Sequence, residues 1–89
     1  MRTVHKYPLE GHSVGIYMPE AAEILTLQLQ NDVPTLWALV EDSNTPIHYQ
    51  FHTYGTGWTV PLNREYVGTY QQDAGNLPVL VWHVFKETR

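Results

Sequence analysis

The sequence contains no cysteine among its 89 residues, and this absence excludes three kinds of chemistry. Without thiols the chain forms no disulfide bond, no thiolate metal site and no cysteine nucleophile. It also lacks any apolar run close to the roughly 18 residues that a membrane-spanning helix needs. Residues 1–8 carry no apolar stretch of the kind found in signal peptides, so we expect a cytoplasmic protein with no membrane partner.

Basic residues are also scarce, with five Lys and Arg against nine Asp and Glu and a formal net charge of −4. The five are scattered along the chain: Arg2, Lys6, Arg64, Lys86 and Arg89. A long nucleic acid requires a cluster of cations that neutralise its phosphates, so we exclude it as a partner. A compact anionic ligand needs only a few cations, which folding or assembly of several copies can bring together.

The length fits one domain, and 43% hydrophobic with 12% aromatic residues are enough to build a core. We therefore expect a single all-β domain over residues 1–89, on the strand pattern given below. So short a chain buries only roughly 60–65% of the surface that its unfolded form exposes. Because no disulfide compensates for the small core, we expect its stability to come from dense aromatic packing or from burial between copies of a homo-oligomer.

Alternation of apolar and polar residues, the pattern of β-strands, runs through most of the chain. Turn residues separate the alternating segments, as at Asn31-Asp32 and at residues 73–76. The pattern predicts about seven strands, at residues 3–9, 13–18, 24–30, 35–40, 47–54, 66–71 and 79–85. This spacing predicts a mostly antiparallel small sandwich or barrel. A helix competes only over residues 20–30, so we allow for one short helical turn near Glu20.

The alternation also predicts which side chains face the core. Leu25, Leu27 and Leu29 are expected to point the same way from their strand. Trp37 and Trp82 stand within strands that are apolar on both faces, so we expect both indoles to pack in the core. The strand at residues 47–54 divides more sharply, with apolar side chains on one face and amide, imidazole and phenol groups on the other.

Five histidines raise the question of a metal site. His48 and His52 share a strand face, but four residues of strand separate them by roughly 13 Å. That distance is too great for both to bind one ion at about 2 Å. The two serines, Ser13 and Ser43, lie in or beside turns without the neighbouring base of a nucleophilic enzyme. We therefore predict no metal, no cofactor and no catalytic residue, and a protein that is not an enzyme.

The segment from Gln50 to Trp58 carries the strongest indication of a binding site. A strand of polar and aromatic side chains runs into Gly-Thr-Gly, where glycines let main-chain N–H groups approach a ligand. The aromatic rings offer a face for a base, and an arginine can bind a phosphate through two hydrogen bonds. The same glycines are typical of a strand corner, which is the competing interpretation. The candidate ligand-binding residues are His52, Tyr54, Gly55, Thr56, Gly57, Trp58 and Arg64.

Three motifs resemble a family of small uncharacterised bacteriophage and prophage proteins, filed as a domain of unknown function. They are Lys6-Tyr7-Pro8-Leu9, Leu36-Trp37-Ala38-Leu39-Val40 and Gly55-Thr56-Gly57. The likeness spans nearly the whole chain, and the middle motif is its most specific part. The resemblance implies a phage setting and a small accessory protein in the host cytoplasm, with no catalytic residues to carry over.

Small phage accessory proteins often counter host defences, and this setting frames the functional prediction. We expect a homo-oligomer that binds and sequesters a nucleotide-derived signalling molecule. A second interpretation is a protein inhibitor whose acidic surface, including Glu41 and Asp42, covers a basic site on a host defence factor. A third interpretation is an uncharacterised phage enzyme that acts on nucleotides.

Overall fold

A computed structural model describes residues 1–73, 75 and 77–88 of the chain. The strands in this part of the chain are β1 (Arg2–Pro8), β2 (Ser13–Pro19), β3 (Glu23–Gln30), β4 (Val33–Glu41), β5 (Pro46–Gly55), β6 (Arg64–Gln72) and β7 (Leu80–Glu87). The all-β prediction is confirmed. The segment near Glu20 is not helical, because only three residues join β2 to β3. The Ala22 N–H donates to the Pro19 carbonyl at 3.2 Å and closes a tight turn.

The seven strands described form two antiparallel sheets, so the sandwich is the architecture present. One sheet has the order β1-β4-β3 and the other the order β2-β5-β7-β6. Asn31 and Asp32 join β3 to β4 with φ angles of 51° and 65°, the left-handed conformation of a two-residue hairpin turn. Two residues of the turn predicted at residues 73–76, Ala74 and Asn76, lie outside the described part of the chain.

The core lies between the inner faces of the two sheets. Its buried apolar side chains are Leu9, Met18, Leu36, Ala38, Val40, Tyr49, Phe51, Tyr70 and Val84. In β5 the buried Tyr49, Phe51 and Thr53 alternate with side chains on the outer face, as the sequence predicts. The outer face of the four-stranded sheet therefore carries the amide, imidazole and phenol groups of β5.

The expected alternation in β3 is wrong at Leu25. A bulge shifts the pairing with β4 between Ile24 and Thr26, so the extra residue turns its side chain outward. Leu25 is 48% exposed, whereas Ile24, Leu27 and Leu29 pack against the core.

The expectation that both strand tryptophans pack in the core is correct for Trp82 and wrong for Trp37. The neighbours Leu36 and Ala38 are each 0% exposed and face inward, so Trp37 points to the outer face of the three-stranded sheet. Trp82 packs against the core cluster from its edge. The two indoles therefore lie in different environments on different sheets.

The sheets approach closely where β6 crosses β3. A Cβ on Gly68 would lie 3.0 Å from the Cβ of Leu27, tighter than ordinary van der Waals contact, so glycine suits this close approach better than a residue with a side chain. β7 lies between β5 and β6, and its pairing places Gly55 directly beside Trp82. This pairing brings the glycine-rich segment after β5 against the start of the last strand.

Candidate functional site

The glycine-rich segment folds back on the strand that precedes it. The Trp58 N–H donates to the Gly55 carbonyl at 3.1 Å, and Gly57 between them has a φ of 89°, which favours glycine. The turn lays the Trp58 indole over Gly55, where a Cβ would lie only 2.8 Å from Cε2 of the ring. Both glycines are therefore required by the turn and by the position of the indole.

The indoles of Trp58 and Trp82 pack against each other at the end of the sandwich where Gly55 pairs with Trp82. The ring centroids of Trp58 and Trp82 are 5.6 Å apart, with the rings at 84° to each other. Trp82 donates its Nε1–H to Oε1 of Gln72 at 3.1 Å, which fixes the ring. The His12 ring packs against both indoles, with its centroid 4.6 Å from that of Trp82 and 6.5 Å from that of Trp58. Trp58 remains 55% exposed, so it presents aromatic surface to solvent.

The indoles border a cleft of about 420 Å³, which we call the indole cleft. Its lining consists of Gly55, Thr56, Trp58, Val79, Leu80, Val81 and Trp82. The volume falls within the range of small-molecule sites, roughly 300–1,000 Å³, which are typically apolar with a few polar groups. Here the polar side-chain groups are the Thr56 hydroxyl and the indole N–H groups of Trp58 and Trp82, of which the Trp82 N–H is bonded to Gln72. No Lys or Arg of the described residues lines the cleft.

Thr56 connects the indole cleft to the outer face of the four-stranded sheet. Its hydroxyl lies 2.8 Å from Nε2 of His83, whose Nδ1 lies 3.0 Å from the Thr69 hydroxyl. The Thr69 hydroxyl in turn lies 2.7 Å from that of Tyr66. Both nitrogens of the imidazole are thus engaged by hydroxyl groups, which orient the ring beside the cleft.

The other predicted residues lie further along the outer face. Arg64 donates its Nε–H to the Tyr54 hydroxyl at 3.0 Å. His52 Nε2 lies 2.6 Å from Oε2 of Glu87. The hydrogen bond from His52, with a smaller contribution from the positive charge of Arg64, lowers the pKa of the Glu87 carboxyl below its ordinary value of 4.5.

The structure does not bring Arg64 and Trp58 together. Arg64 pairs in register with Glu87, whereas Gly55, on which Trp58 packs, pairs with Trp82. These two positions are five residues apart on β7, or about 16 Å of strand. The seven predicted residues therefore form two groups. Loop residues 55, 56 and 58 form one side of the cleft with Gly57 as part of their turn, and His52, Tyr54 and Arg64 lie on the sheet face.

The sequence pattern does not identify the side of the cleft formed by β7 and by Val79, which precedes it. The strand around Trp82 is apolar on both faces, which predicts packing in the core and does not indicate a cleft. Residues 79–81 and His83 gave no separate signal. A pairing of Gly55 with Trp82, 27 positions later, would have identified all of them, but the sequence pattern does not specify which strands pair.

The acidic pair Glu41 and Asp42 is engaged within the chain. Both carboxylates accept hydrogen bonds from the Met1 ammonium group, and Glu41 also accepts one from the Ser43 hydroxyl at 2.8 Å. These hydrogen bonds lower the pKa of Glu41 to about 2. The Met1 ammonium group partly neutralises the negative charge of Glu41 and Asp42. This pairing argues against the interpretation in which these two carboxylates cover a basic site on a partner.

Among residues 1–73, 75 and 77–88, no three His, Asp or Glu side chains gather as ligands of a metal ion would. In the same part of the chain no helix has the length and apolarity needed to cross a membrane.

The fold and the indole cleft define a small β-sandwich domain with a ligand-sized cleft at one end. The chain belongs to a family described as a domain of unknown function, DUF7352, which matches residues 1–89. No curated protein and no solved structure matches the chain. The expectation of a family of unknown function is therefore confirmed, and the match covers the whole chain.

Proposed function

We propose that the protein binds a nucleotide-type small molecule in the indole cleft and holds it without converting it. The observation that carries the proposal is the cleft of about 420 Å³ beside the Trp58 and Trp82 indoles. Planar heteroaromatic rings stack on indoles with about 1–3 kcal/mol per base, whatever the base. An apolar cleft with one hydroxyl suits such a ring better than it suits a compact anion.

Binding without conversion is supported by the surroundings of Thr56. Its hydroxyl and His83 form the nearest approach to a nucleophile and base at the cleft, at 2.8 Å. The group that orients His83 on its other side is the neutral Thr69 hydroxyl at 3.0 Å. A neutral hydroxyl does not stabilise an imidazolium as the carboxylate of a catalytic triad does. The Thr56–His83 pair is also the specific observation that favours an enzyme acting on nucleotides as the second candidate.

We place this activity in the setting that the sequence motifs imply, an accessory protein of a phage that sequesters a nucleotide-derived signal in the host cytoplasm. The apolar rim of the cleft supports assembly of several copies. Its side chains Val79 and Leu80 are 52% and 43% exposed. A second copy that covers this rim would enclose the ligand and bury apolar area that a chain of 89 residues leaves in water.

Native mass spectrometry tests the proposal on the purified protein incubated with a pool of cyclic nucleotides and ADP-ribose. We expect a dimer or larger assembly that retains one intact member of the pool. Trp58→Ala should lose the retained mass, because it removes one of the two indoles. Tyr17→Ala is the matched control, since this tyrosine is 69% exposed on β2 and does not line the cleft.

The other outcomes contradict the proposal in different ways. Release of a cleaved product would show that the protein is an enzyme, with Thr56→Val as the variant that should stop the reaction. Retention of no pool member would contradict nucleotide binding and favour a protein target, such as a host defence factor. Equal retention by Trp58→Ala and the parent protein would place the ligand outside the cleft.

A further inference from the structure

Arg64 is a cation fixed in place by neutral groups. Nε–H donates to the Tyr54 hydroxyl at 3.0 Å, and Nη1 donates to the carbonyl and Oδ1 of Asn63 at 3.1 and 2.9 Å. Among the described residues no carboxylate forms an ion pair with its guanidinium; Glu87, its partner in register, is hydrogen-bonded to His52 and feels the Arg64 charge from further away. Nη2 has no hydrogen-bond partner among the described residues. A guanidinium whose position is fixed and whose Nη2–H groups remain unbonded can bind an anion such as a phosphate.

The surface between the indole cleft and Arg64 is continuous. Thr56 lines the cleft and contacts His83, which already stands on the outer face of the four-stranded sheet. Beyond His83 lies an aromatic group in which the Phe85 ring has its centroid 5.7 Å from that of Tyr54 and 5.6 Å from that of Tyr66. The Tyr54 hydroxyl then reaches the guanidinium. Hydroxyl, imidazole and ring surfaces of this kind suit ribose hydroxyls and sugar carbons.

We infer that the ligand is an elongated nucleotide with its base in the indole cleft and its phosphates beyond the ribose, reaching across His83 to the guanidinium of Arg64. This inference rests on the proposed function. The strand positions of the two ends are about 16 Å apart, and the Arg64 guanidinium reaches back to the Tyr54 hydroxyl. This span exceeds what a nucleoside alone covers and fits a ligand that carries a diphosphate beyond the ribose.

Isothermal titration calorimetry with adenosine and with ADP-ribose measures what each end of the site contributes to the binding affinity. Adenosine carries the base and ribose only, whereas ADP-ribose adds a diphosphate and a second ribose. We expect ADP-ribose to bind roughly 10- to 100-fold more tightly than adenosine, as for a hydrogen-bonded charge pair. Arg64→Ala should remove this gain while leaving adenosine affinity unchanged. Arg64→Lys keeps the charge without the planar fork and should recover part of the gain.

Arg2→Ala is the matched control, because it removes an arginine from the opposite sheet and changes the net charge by the same amount as Arg64→Ala. A gain for ADP-ribose that is lost in Arg64→Ala and kept in Arg2→Ala supports the inference. If adenosine binds but ADP-ribose binds no more tightly, or the gain survives in Arg64→Ala, the inference is wrong and the proposed function stands. If the gain falls equally in both variants, the effect is one of net charge, and the inference is again wrong. If neither compound binds, both the proposed function and the inference fail.

Discussion

Truncation of two neighbouring leucines of β3 tests the position of the sheet bulge. Leu25 is 48% exposed, and Leu27 packs against the core beneath Gly68. A buried leucine that becomes alanine costs about 2–5 kcal/mol, and the partial burial of Leu27 places it near the lower limit of about 2 kcal/mol. Leu25→Ala removes the same atoms from a half-exposed position and should cost less than about 1 kcal/mol.

Urea unfolding followed by tryptophan fluorescence measures both losses in free energy of unfolding. A domain of this size has a stability of roughly 5–15 kcal/mol, so both variants should remain folded and measurable. The slope of the free energy against urea should stay unchanged, because neither substitution alters the extent of the buried surface greatly. Equal costs for the two variants, or a greater cost for Leu25→Ala, would mean that the regular alternation holds and that the bulge is not there.

Two further substitutions examine the turn at the indole cleft and the hydrogen bond between His52 and Glu87 on the sheet face. Gly57→Ala should lower the free energy of unfolding by roughly 1–2 kcal/mol in urea melts, because alanine is strained at its φ of 89° and no neighbour lies within 4 Å to add a clash. The Glu87 carboxyl has a lowered pKa in the folded protein, so its contribution to stability is present above its ordinary pKa of 4.5 and is lost as pH falls through the lowered value. Glu87→Gln should abolish this part of the acid destabilisation in melts from neutral to acid pH, and an unchanged pH profile would contradict the role of the hydrogen bond from His52.

The sequence predicts the fold well because its turns contain residue types that favour particular turn conformations. Asn31 and Asp32 tolerate the left-handed conformation that they adopt, and the alternation in β5 separates buried from exposed side chains correctly. The sequence does not indicate the bulge, because Ile24 and Leu25 are both large and apolar. Either can fill the core position, and only the packing of β3 on its neighbours decides which one does.

The candidate site is predicted only in part, for a reason of topology. The Gly-Thr-Gly turn and Trp58 are local in sequence, so the loop could be recognised. The opposing wall depends on β7 lying between β5 and β6, a pairing between segments that are far apart in the chain. The same pairing places Arg64 about 16 Å along β7 from Trp82. Their nearness in sequence therefore does not make the loop and the arginine one compact site.

The most direct test of ligand binding in the indole cleft uses the three tryptophans of the chain as reporters. Each indole N–H gives one resonance in a proton–nitrogen correlation spectrum, assigned by single Trp→Phe variants. The spectrum is recorded as an equimolar mixture of adenosine, guanosine, cytidine and uridine is added. We expect the Trp58 and Trp82 signals to shift in a saturable way while that of Trp37, on the other sheet, stays fixed. Three unmoved signals, or shifts confined to Trp37, would contradict binding in the cleft.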